Sequence, residues 1–124
     1  MRRATNITLF AGLLISVPAF AAAPPSGKWV RGDGAVRATI SRCGGKTCAT
    51  TTWTKDLTGP ERAGDQLIMA LKTAEPGHWM GSAFDPQRKL SYNVDLQLHG
   101  ERLTTRGCLS GSTACLIADW IRKK

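Results

Sequence analysis

From Gly27 onward, hydrophobic and polar residues alternate in short runs separated by turn-forming residues. The clearest run is Lys89 to His99. There Leu90, Tyr92, Val94, Leu96 and Leu98 alternate with Ser91, Asn93, Asp95 and Gln97. A period of two places the two sets on opposite faces of a β-strand. Val36 to Cys43 sets Val36, Ala38 and Ile40 against Arg37, Thr39 and Ser41, and Gln66 to Thr73 puts Leu67, Met69 and Leu71 on one face. Gly27 to Arg31, Cys48 to Lys55, His78 to Phe84, Arg102 to Leu109 and Cys115 to Arg122 complete eight predicted strands. Between them lie Gly32-Asp33-Gly34, Gly44-Gly45, an Asp56–Asp65 loop with Gly59-Pro60 and Gly64, Pro76-Gly77, Asp85-Pro86 and His99-Gly100. Only Leu116 to Lys124 offers an alternative, a terminal helix resting on Ile117, Trp120 and Ile121. Short strands with short connections predict an all-β fold: a small eight-stranded antiparallel up-and-down barrel, in which closure removes exposed sheet edges.

The alternation also tests the four cysteines. With Val36, Ala38 and Ile40 inside, Cys43 points out; with Ala49, Thr51 and Trp53 inside, Cys48 points out too. Directly opposed, non-hydrogen-bonded residues on antiparallel strands sit about 4.5 Å apart at Cα, within disulfide range. Leu103 and Leu109 inside put Cys108 outside, and Leu116, Ala118 and Trp120 inside put Cys115 outside. Spacing alone does not choose among the connectivities. Hairpin geometry favours Cys43–Cys48 and Cys108–Cys115. A four-cysteine zinc site is the rival, but the second pair is wider than structural zinc pairs usually are. A redox pair would call for C-x-x-C at a helix N-terminus, and neither pair has that form.

Ahead of the first strand, Met1-Arg2-Arg3 is positive, Ile7 to Phe20 is uncharged and mostly apolar, and small residues follow. This reads as a secretory signal peptide over residues 1–21, with Ala19-Phe20-Ala21 as the cleavage site; an uncleaved anchor is the alternative. Residues 22–124 then form a single domain. The expected destination is the periplasm or the exterior, with no membrane span after cleavage, a setting that favours disulfides. The chain carries a formal charge of +8; without Arg2 and Arg3 it is +6. The charge is scattered, with no basic block longer than Arg122-Lys123-Lys124. That suits solubility, and leaves an anionic surface or an envelope protein as a conceivable partner.

Gly77-His78-Trp79-Met80-Gly81, followed by Phe84-Asp85-Pro86, Lys89 and Tyr92, resembles the W-x-G-x-x-(Y/F)-D-P block of a bacterial secreted family of unknown function, numbered 2147. Gly27-x-Trp29, the Cys43…Cys48 hairpin, Arg106-Gly107-Cys108, Cys115 and Trp120-Ile121-Arg122 fit the same pattern, which covers nearly the whole chain after the leader. Departures include Arg88 where a turn glycine is common and Ala49 where glycine usually follows the cysteine. The resemblance implies a calycin-like barrel, related in shape to lipocalins, and no activity. In such barrels the tryptophan of an opening G-x-W packs under an arginine from the last strand. Carried over, Trp29 and Arg122 close the barrel base by a cation–π contact.

Little in the chain points to catalysis. Of the two histidines, His99 falls at a turn and His78 has no carboxylate partner evident in sequence. Ser82 lacks a nucleophile elbow, Asp85 reads as a turn former, and no metal, nucleotide or nucleic-acid motif is present. No enzyme activity, catalytic residue, metal, cofactor or nucleic-acid partner is therefore expected. A barrel of this size either fills its interior with side chains or holds one small ligand. The predicted interior includes Val36, Ile40, Trp53, Leu67, Met69, Leu71, Tyr92, Val94, Leu96, Leu103 and Trp120, diluted by Thr51, Thr105 and Ser82. Strands of about eight residues leave little spare volume. Apolar walls would suit a small hydrophobic or amphipathic molecule, with Trp53, Met69 and Tyr92 as ligand contacts and the Asp56–Asp65 loop capping one mouth. The rival reading is an envelope interaction module with a packed barrel, presenting Ile117 and Ile121 beside the basic tail.

Overall fold

Residues 25–124 are described by the structure, a computed structural model. The signal peptide predicted over residues 1–21 and its predicted cleavage site fall outside the described residues. Eight strands follow in order: β1 Gly27–Arg31, β2 Val36–Cys43, β3 Lys46–Thr54, β4 Gln66–Glu75, β5 His78–Asp85, β6 Leu90–His99, β7 Arg102–Leu109 and β8 Cys115–Arg122. Each pairs antiparallel with its neighbours in sequence, and β8 returns to β1, so the sheet is a closed up-and-down barrel. The terminal segment predicted as strand or helix is a strand. Among the described residues no helix is long and apolar enough to cross a membrane.

The topology sorts the connections into two ends. The β2–β3, β4–β5 and β6–β7 turns share one end with the start of β1 and the finish of β8; the other end carries the remaining four connections. The first end is packed shut by a core around Trp29, Trp79, Leu96 and Leu103. Trp29 is 1% exposed. The Arg122 guanidinium lies 4.4 Å from its ring centroid, and its indole N–H donates to the Pro25 carbonyl at 3.2 Å. Arg122 in turn donates to the Ser26 carbonyl at 2.9 Å. Gly27 is where this stack needs a glycine: its φ is +133°, and a Cβ there would stand 2.6 Å from Arg122 Nη1. The expected Trp29–Arg122 closure is present, and the opening G-x-W has a steric reason. Trp79 is buried in the same core, although the predicted interior omitted it.

Most predicted facings hold. Leu67, Met69 and Leu71, then Tyr92, Val94, Leu96 and Leu98, share the inner face, with Ile117 and Ile121 outside. Trp53 is a correction. Between β2 and β3 the register shifts: Ala38 pairs with Thr51, but Arg37 pairs with Trp53, so Thr52 is an extra residue on β3. Such a bulge reverses the facing of everything beyond it. Trp53 therefore lies on the outer face, 40% exposed, with the Arg37 guanidinium 5.0 Å from its ring centroid. Ser82 is also outside, exposed and paired with Asn93.

Both disulfides form as the hairpin geometry favoured, Cys43–Cys48 and Cys108–Cys115. Cys108 and Cys115 are directly opposed. Cys43 and Cys48 are not: Cys48 faces Ser41 and Cys43 faces Lys46, so that bridge runs diagonally across a Cα–Cα distance of 5.8 Å.

The barrel closes over a short seam. β1 and β8 share only Trp29↔Arg122, Val30↔Ile121 and Arg31↔Trp120. Beyond these, the Gly32 N–H donates to the Asp119 carbonyl at 2.7 Å, and Cys115–Ala118 have a strand neighbour only in β7. Leu116 points inward on this segment, yet it is 79% exposed.

Candidate functional site

The half of the barrel nearer the loops is not filled. Its inward positions on β2, β3, β7 and β8 are small: Ala38, Ala49, Thr51, Thr105, Gly107 and Ala118. These residues oppose one another in register, Ala38 against Thr51 and Thr105 against Ala118, so small side chains coincide in space. The result is a cavity of about 830 Å³, at the upper part of the range of small-molecule sites. Trp29, Leu96 and Leu103 form its floor, and Met69, Leu67 and Val94 belong to its walls. The expected lack of spare volume is thus overturned. Strand length bounds the height of a barrel, whereas the volume left inside depends on which side chains meet across it.

The mouth is polar and tied together. Arg31, at the end of β1, donates to both oxygens of Asp33 at 3.0 and 3.1 Å and to both oxygens of Glu61 at 3.1 and 2.9 Å. Arg88, in the β5–β6 turn, donates to Asp85 at 2.9 Å, to Asp65 at 3.0 Å and to the Pro60 carbonyl. Gln87 exchanges two hydrogen bonds with the backbone of Gln66, at 3.0 and 2.9 Å. The segment between β3 and β4 is therefore fastened on two sides, through Glu61 to β1 and through Pro60 and Asp65 to the β5–β6 turn. Glu61 and Asp65, together with Pro60, line the cavity, as expected of a loop capping one mouth.

Asp85 is the centre of this arrangement. It is 7% exposed and sits on the inner face at the end of β5. One oxygen accepts the backbone N–H groups of Gln87 and Arg88 at 3.0 and 3.1 Å and the Gln87 side-chain amide at 2.8 Å; the other takes Arg88. Burial alone would raise its carboxyl, but the Arg88 and Gln87 hydrogen bonds and the Arg88 charge outweigh it and hold the group below the ordinary value. The Asp33 carboxyl is held down chiefly by its hydrogen bond from Arg31, with the Ala35 N–H adding to it. The turn reading of Asp85-Pro86 is correct, but it omits the carboxylate's second task of holding Arg88 in the mouth. The left-handed conformation of the turn falls on Lys89, with φ of 58°, one residue after Arg88, so a glycine at 88 is not needed for it.

Of the three anticipated ligand contacts, Met69 and Tyr92 line the cavity and Trp53 does not. Arg31, Glu61, Asp65, Asp85 and Arg88 were not singled out from the sequence as site residues. His78 also differs from expectation: its Nε2 lies 2.9 Å from Asp95 Oδ2 across the β5–β6 pair, on the outer face. Burial acts to raise the Asp95 carboxyl, but the hydrogen bonds from His78 and Gln97 and the Arg106 charge bring it below its ordinary value. No side chain of this pair lines the cavity. Among the described residues no group of three His, Cys, Asp or Glu side chains is placed to hold a metal ion.

The sequence model of a family described as "uncharacterized protein conserved in bacteria (DUF2147)" matches residues 27–122, from the first residue of β1 to the last of β8. The chain belongs to this family. No curated protein and no solved structure matches it. In this DUF2147 barrel the W-x-G block has a structural reading. Trp79 fills the closed end, and Gly81 lies where a Cβ would overlap the Ala70 carbonyl oxygen and crowd the Leu71 Cα at 3.1 Å. Two disulfides fit an oxidising, non-cytoplasmic setting.

Proposed function

We propose that this barrel is a secreted or periplasmic protein that binds a small hydrophobic or amphipathic molecule in its loop-end cavity. The observation that carries the reading is the cavity of about 830 Å³, walled by Met69, Leu67, Val94 and Tyr92 above a floor of Trp29 and Leu103. Apolar walls with a few polar groups at one end are the usual form of a small-molecule site. The protein acts here by non-covalent binding rather than by catalysis, and the polar groups of the mouth serve to hold its rim. The fastened β3–β4 segment covers part of the cavity, and a ligand enters beside it, at the open edge of β8.

Native mass spectrometry of protein purified gently from its natural compartment tests this. An adduct that leaves on denaturation, and is missing from an Ala49→Phe variant with the cavity obstructed, supports the reading and gives the ligand's mass. A bare chain that also fails to bind any apolar probe refutes it. A second reading has its own observation. Ile117 is 68% exposed on the outer face, and Ile121 pairs there with Val30 and Arg102. This patch suits a partner-binding surface on the envelope. Loss of partner capture on Ile117→Ser with cavity binding intact would favour it.

A further inference from the structure

The protein is basic, with a formal charge of +8, but its cavity is not. Five carboxylates and three arginines line it: Asp33, Glu61, Asp65, Asp85 and Asp119 against Arg31, Arg88 and Arg106. The pairing makes the imbalance local. Arg31 is shared between Asp33 and Glu61, and Arg88 between Asp85 and Asp65. At the mouth itself, therefore, four carboxylates meet two guanidiniums. The remaining pair adds nothing to this excess: Arg106 lies close enough to Asp95 to lower that carboxyl, and Asp119 pairs with Arg102 at 3.6 Å. Lys55, Arg62 and Lys89 stand exposed on the same loops and do not line the cavity.

The hydrogen-bond inventory sharpens the sign. Both mouth guanidiniums direct donors to carboxylates, and Arg88 also to the Pro60 carbonyl, while Arg88 Nε makes no hydrogen bond among the described residues. An anionic head that reaches Arg31 or Arg88 still meets four carboxylates gathered on the same rim. A carboxylate has acceptor capacity beyond the bonds it makes here, so a cationic head can join Glu61, Asp65 or Asp33 without breaking a pair. We infer that the mouth selects an amphiphile with a cationic head, an amine or quaternary ammonium on an apolar tail, over its anionic counterpart. This rests on the binding reading above and names the ligand class for the same cavity.

The test uses permanent charges on equal tails. The purified protein is loaded with the neutral fluorophore N-phenyl-1-naphthylamine, which is then displaced with decyltrimethylammonium or with decanesulfonate, each below its micellar concentration. At low salt the ammonium should displace the fluorophore at roughly tenfold lower concentration than the sulfonate. The gap should narrow as salt rises, and the ratio of the two displacing concentrations should fall toward one in a Glu61→Gln/Asp65→Asn variant, each read against that variant's own fluorophore affinity. Equal potency, or a preference for the sulfonate, with the fluorophore bound normally would overturn the head-group inference and leave the binding barrel standing. Failure of the fluorophore and of both amphiphiles to bind would overturn the two together.

Discussion

Replacing Asp85 by Asn changes one atom in the least exposed carboxylate of the mouth and should be costly. The carboxylate accepts two backbone N–H groups, the Gln87 amide and the Arg88 guanidinium. Asparagine retains one acceptor oxygen, but loses the charge and turns an N–H₂ donor toward other donors. A hydrogen bond to a charged group contributes about 1.5–3 kcal/mol. The Arg88 side chain is 37% exposed, so its share is screened and discounted. The expected loss is about 2–3 kcal/mol, read as a lower urea midpoint at unchanged m-value. Arg88→Ala should cost less, about 1 kcal/mol, since the backbone N–H groups still satisfy Asp85. Acid supplies a second readout. The folded Asp85 carboxyl is held below its ordinary value of 3.8, so as pH falls the unfolded chain takes up the proton first. The stability this group contributes is complete above the unfolded value and is lost as pH drops through the lower folded one. The difference between wild type and Asp85→Asn should therefore shrink below about pH 4. An Asn variant within about 0.5 kcal/mol of wild type at neutral pH, or an Arg88→Ala as damaging as Asp85→Asn, would refute the keystone role.

Three further outcomes follow from the geometry. Gly81→Ala forces a methyl into the Ala70 carbonyl, and should destabilise by about 3 kcal/mol or more, seen as a collapsed thermal midpoint or failure to accumulate; wild-type stability would contradict the strand contact. Joint replacement of Cys108 and Cys115 by serine opens a loop of sequence separation 7, and chain entropy places the loss near 2.5 kcal/mol in reversible urea unfolding. Trp53→Ala removes an exposed ring held by Arg37, so it should cost about 1 kcal/mol or less and leave naphthylamine affinity unchanged; a large loss of binding would return Trp53 to the cavity.

How far the sequence reached can be judged element by element. The Leu90–Leu98 alternation marks β6 and its inner face because the strand period of two is a local property of the backbone. The hairpin cysteines were legible for the same reason, since each pair is joined by one turn. Trp53 was misplaced because a bulge is set by the partner strand: only the pairing of Arg37 with Trp53, one residue out of step, turns the ring outward. The cavity escaped because Ala38, Ala49, Thr105 and Ala118 are unremarkable one at a time, and become a void only where β2, β3, β7 and β8 face each other across the barrel.

The primary structure by itself therefore determined the eight strands, their order, most of their facings, both disulfides and the Trp29–Arg122 closure, all of which follow from local periodicity, short turns or a family pattern. The tertiary structure alone decided that the loop-end half is open. It also decided that Arg31 meets Glu61, that Arg88 meets Asp65, and that His78 finds Asp95. These pairs join residues 17 to 30 positions apart. Their distances are set by how the strands tilt and close the barrel, and no window of the chain carries that information.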